Sequence, residues 1–155
     1  MHKTLTLTSF VAAALMLIAA ANLVLVYVLL NAHPHVGPPS TDLASNLPIA
    51  AVGGIPFLAT AALITWTALR ARTNIRLVER LIVIGVLGLP VLAACGLWSG
   101  LVSSMNVPLD GSPPADALYV YQFTFIAAVA GDLVVLVMAI VTFTRRSGRA
   151  ASPDK

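Results

Sequence analysis

Asp132 is the residue whose type and position together point most directly to chemistry. It follows Ala127-Ala128-Val129-Ala130-Gly131 midway along the last long apolar segment, and no other acid falls deep inside such a segment. A carboxylate at mid-bilayer costs about 2.5–3.5 kcal/mol, so a compensating partner or a use is expected. No basic residue lies at a similar depth, which favours the neutral acid in a low-dielectric interior. One expectation is structural: the acid donates to the carbonyl of Val86, freed by Pro90, or bonds to Asn22 or Thr60 on other helices. The other is functional: Asp132 is the protonatable site of a small proton- or cation-coupled transporter. The structural role is the leading expectation, because internal repeats and further polar pathway residues are missing.

A second constellation lies in the Pro-rich stretch His33-Pro34-His35-Val36-Gly37-Pro38-Pro39-Ser40-Thr41-Asp42. Extended backbone, which the prolines favour, projects His33 and His35 to the same side, and Asp42 could complete a copper or zinc site. A polar loop that contains two histidines is the plainer reading. Other chemistries are excluded by placement. His2, His33 and His35 all lie outside the apolar segments, so no pair of them can hold a haem within a membrane. No lysine is placed for a buried Schiff base, and no Gly-rich phosphate loop or paired buried carboxylates occur. A single cysteine, Cys95, rules out an internal disulfide. Enzyme activity is not expected, and no cofactor is expected.

The elements that would position these residues follow from composition. The chain is 59% hydrophobic and only 10% charged, with a mean hydropathy of +0.93, which is a membrane protein's composition. Four apolar segments, each near the length of about 20 residues that a spanning helix needs, occupy residues 8–31, 48–69, 79–104 and 118–144. The expected fold is an all-α bundle of four transmembrane helices in one domain, with a polar, disordered tail from 145 to 155. The first segment is too long for a signal peptide and lacks a good cleavage site. Asn22 interrupts it, on an expected stripe otherwise made of Val11, Leu15, Ile18, Val26 and Leu29, and its amide is expected to seek an interhelical hydrogen bond. In the third segment Gly85, Gly88, Gly96, Ser99 and Ser103 share an arc of about a quarter turn, and Gly96 and Gly100 form a GxxxG pair. That small face makes the third helix the expected centre of packing. Tyr119, Tyr121 and Phe143 are expected at the membrane interfaces. Asn106-Val107-Pro108-Leu109 resembles a tetrapeptide that follows the third helix in anthrone-oxygenase-like four-helix proteins; the resemblance covers these four residues alone and implies no activity here.

Charge orients the bundle. All nine Lys and Arg fall at the N-terminus, between the second and third segments, or after the fourth. The other two loops carry only Asp42, Asp110 and Asp116. The positive-inside rule then puts both termini in the cytoplasm. Arg70, Arg72, Arg76, Arg80, Arg145 and Arg146 would meet anionic lipid headgroups on that side. This accounts for the sequence pI of about 9.5 without a nucleic-acid partner. Abundant Ala, Leu, Val and Arg with two Lys suggests a GC-rich bacterial genome, and hence a multi-pass protein of the plasma (inner) membrane. The expected role is a non-catalytic subunit, assembly protein or self-associating protein packed through its Gly-rich helix faces. Reporter fusions after Lys155 should read cytoplasmic, and fusions at Gly37 or Gly111 should read external. An external C-terminus would overturn this topology.

Overall fold

The computed structural model describes residues 2–32, 43–70, 74–106 and 112–150. Apart from Ser112 these form four helices: α1 His2–Ala32, α2 Leu43–Arg70, α3 Asn74–Asn106 and α4 Pro113–Ala150. Each is long and apolar enough to cross a membrane. All four run past the expected bounds, and the reasons are local. Ser112 stands at the N-cap of α4, its carbonyl accepting from the amides of Ala115 (2.9 Å) and Asp116 (3.3 Å). Pro113 and Pro114 therefore occupy first-turn positions, where a missing N–H costs nothing, and Asp116 favours the positive end of the helix dipole. At the other end α4 continues through Arg145 and Arg146 to Ala150, so this part of the expected disordered tail is helical. Residues 151–155 lie outside the described residues. The start of α3 is amphipathic, with Leu77, Val78 and Leu81 buried and Arg76, Glu79 and Arg80 exposed. In α1, Thr8 and Ser9 donate back to the carbonyls of Thr4 and Leu5, both at 2.8 Å, so polar residues do not end the helix.

The helices close into a ring in chain order. α1 packs on α2 and α4, α3 packs on α2 and α4, and α1 and α3 barely meet across the middle. Going up α3, Gly85, Gly88, Gly96 and Gly100 face Leu136, Asp132, Phe125 and Tyr121 in turn, so α3 and α4 are antiparallel in constant register. Gly53 against Ser99 and Thr60 against Gly88 set α2 antiparallel to α3 in the same way.

The helices meet through small residues. α1 buries Ala12, Ala13, Met16, Ala19, Ala20, Leu23 and Val26, while Val11 and Ile18 of the expected stripe point outward. In a membrane, which helices of this length and composition could span, burying the bulkier face brings no reward, and small side chains permit closer approach. At Gly131, a Cβ would already lie 3.5 Å from the backbone of Ala12. The expectation that α3 is the central helix is corrected by burial: 22% of its apolar span is enclosed, against 44% of α1. Its outward side, including Val83, Leu87, Leu97 and Leu101, is exposed among the described residues. Tyr121 turns inward, away from the outer surface of the bundle. It is fully buried and donates to the carbonyl of Gly96 at 3.1 Å, whereas Tyr119 is exposed.

Two glycines give a matched test of this packing. A Cβ on Gly96 would overlap the ring of Phe125, whereas one on Gly54 meets nothing within 4 Å. Gly96→Ala should destabilise the bundle in detergent by about 1–3 kcal/mol. Gly54→Ala should be neutral or gain up to about 1 kcal/mol from helix propensity. Equal melting temperatures for the two variants would refute the seam.

Candidate functional site

The inner face of α4 carries Tyr121, Phe125, Ala128, Asp132, Val135, Leu136 and Ala139, at helical spacing and all buried. Asp132 is 1% exposed, and neither carboxyl oxygen has a hydrogen-bond partner. Opposite it, α3 presents Gly88 and α2 presents Thr60, itself buried. A Cβ on Gly88 would lie 4.0 Å from Asp132 Oδ2 and 3.6 Å from Thr60 Oγ1. These are ordinary contact distances, so a methyl-sized space adjoins both oxygens. Three helices thus bring one acid, one hydroxyl and one missing side chain together.

Two of the acceptors expected for Asp132 are elsewhere. Asn22 donates to Thr124 Oγ1 at 3.2 Å, two turns along α4 from the acid. Thr124 in turn bonds the carbonyls of Val120 and Tyr121, each at 3.0 Å. Val86 is 54% exposed, because two residues carry it about 200° around α3 from Gly88. Of the expected polar partners only Thr60 stands beside the acid, without a hydrogen bond to it.

Several other inward polar groups are paired. Ser103 bonds to the hydroxyl of Tyr27 at 3.1 Å, linking α3 to α1. A Cβ on Gly53 would overlap the side chain of Ser99, so α2 closes on α3 there. Phe125 stacks on Tyr121 and meets Phe57 edge-on, with ring centroids 6.2 and 6.0 Å apart. Nothing in the spacing along α1 marks Tyr27 as a helix-joining group, and Tyr121 is expected at an interface instead. Tyr121 shares the spacing of Asp132's face, which is the signal that could have found it.

Between α3 and α4 an open groove of about 230 Å³ runs along the outside of the bundle. Gly96, Leu97, Gly100 and Leu101 of α3 and Tyr121, Phe125 and Ile126 of α4 line it, with Ser104 and Gln122 adding polar groups. The basic residues Arg70, Arg76, Arg80, Arg145 and Arg146 are all exposed, at the end of α2, the start of α3 and the end of α4. The Arg70 guanidinium lies 3.9 Å over the Trp66 ring. Arg72, and the candidate metal ligands His33, His35 and Asp42, lie outside the described residues. Among the described residues no three His, Cys, Asp or Glu side chains cluster around a point. The chain matches no family model, no curated protein and no solved structure.

With its carboxyl unpaired, Asp132 can give way to an apolar side chain without breaking a hydrogen bond. Leu has the branched skeleton of Asp, and replacing Asp132 with it leaves no described acceptor stranded. Removing a buried unsatisfied polar group is worth about 1–3 kcal/mol. Asp132→Leu should therefore melt no lower than the wild type in detergent, and above Asp132→Asn. A clear loss of stability in the Leu variant alone would mean that the carboxyl is bonded in solution.

Proposed function

We propose that this chain is a multi-pass protein of the plasma (inner) membrane, with both termini cytoplasmic, that associates laterally with a second copy and performs no catalysis. Four apolar helices and an end ringed by exposed arginines support the placement and the orientation. Anionic headgroups complement that end at about 1 kcal/mol per basic residue. The α3–α4 groove is the observation that carries the association. Its lining includes the exposed Leu97, Leu101 and Ile126, an apolar surface on which another helix can pack. Gly53, Gly85 and Gly96 are covered by contacts within the chain, which leaves the exposed leucines beside the seam as the surface for a partner. A second reading, a small proton- or cation-coupled transporter, is favoured by one observation, the unpaired carboxyl of Asp132.

Disulfide trapping tests the association. In a Cys95→Ser background, Leu97→Cys or Leu101→Cys should give a covalent dimer on oxidation in native membranes. Val24→Cys, exposed on α1, should not. Monomer at all three positions would remove the self-association reading.

A further inference from the structure

We infer that Asp132, Thr60 and the space at Gly88 form an exchangeable site for one monovalent cation, either the proton or a small alkali ion. The inference deepens the transport reading, though binding does not require transport. The carboxyl is enclosed, unpaired and contributed by α4, while Thr60 Oγ1 from α2 borders the same methyl-sized space. An oxygen pair around a small gap suits a hard cation, which takes oxygen ligands.

Charge selects the valence. Every other charged residue whose side chain is described is exposed: Lys3, Arg70, Arg76, Glu79, Arg80, Asp116, Arg145 and Arg146. From α1, Gly131 meets Ala12 and Leu15 beside the acid; from α2 and α3 the neighbours are Thr60 and Gly88. The other titratable groups on these inner faces, Tyr27, Cys95 and Tyr121, lie two or more helical turns away along their own helices. One carboxylate therefore balances one positive charge. When an alkali ion enters, the carboxyl proton leaves, and the interior stays neutral. A divalent ion would leave a net charge buried without a counter-ion, which is costly.

Carbodiimide labelling reads the site without any transport assay, since dicyclohexylcarbodiimide adds to a protonated carboxyl in apolar surroundings. The purified full-length protein in detergent should take up one label, mapped by mass spectrometry to Asp132 and absent from Asp132→Asn. Labelling should slow at least about tenfold as pH is raised from mildly acidic to alkaline, by mass action on the protonated form. Slowing by sodium or lithium chloride, but not choline chloride, at constant pH identifies an alkali-ion site. Slowing by pH alone identifies the proton as the ligand. Thr60→Val keeps the side-chain shape but removes the second oxygen, and should shift the pH or salt midpoint. Labelling of folded protein that ignores both pH and salt, or no labelling at all, would overturn the inference. Labelling that responds to cations while proteoliposomes show no flux would keep the site and remove only the transport reading.

Discussion

The contact of Gly96 with Phe125 holds the register on which the rest of the interior depends. α3 offers no side chain there, α4 fills the gap with a ring, and Tyr121 caps the contact with a hydrogen bond to the Gly96 carbonyl. Gly85 does the same for Leu136 further along, where a Cβ would come within 3.0 Å of that side chain. Between two such locks α4 cannot slide, so Asp132 must fall across Gly88. The acid's surroundings are thus a consequence of packing at glycines eleven residues apart.

Inside the bundle the polar groups divide into two kinds. Asn22, Thr124, Tyr27, Ser103 and Tyr121 join helices by hydrogen bonds, as groups without access to water must. Among the described residues, Asp132 alone of the buried acids and amides has its oxygens unpaired. An unpaired buried polar group is a cost that a packed interior rarely keeps. Its retention beside Thr60, rather than beside Asn22, marks this level of the bundle as different from the hydrogen-bonded layer toward Tyr121.

Hydropathy makes the four helices and their order legible in the sequence, because a run of some twenty apolar residues has few alternatives. Their ends are less legible. Pro113 and Pro114 look like loop residues, yet a helix's first turn does not use the N–H that proline lacks. The choice of inward face on α1 is hidden for a different reason. When both the interior and the surroundings are apolar, hydrophobicity no longer separates inside from outside, and only side-chain size does. The Ala-rich face wins over the Val11 and Ile18 face on that ground. Asp132 stands out by its charge alone, and Thr60 by its depth. That Asn22 belongs with Thr124 follows from the α1–α4 register, which no spacing within either helix discloses.

The length of α4 has one more consequence. At about 1.5 Å per residue its 38 residues make a rod of about 57 Å, well beyond a hydrocarbon layer of about 30 Å. Arg145 and Arg146 therefore ride on a stiff stem continuous with the buried face of Asp132. A flexible tail would sweep its charges through many positions and lose that freedom on binding. Here the spacing and direction of the charges are set in advance, so whatever anion meets them does so at little further entropic cost.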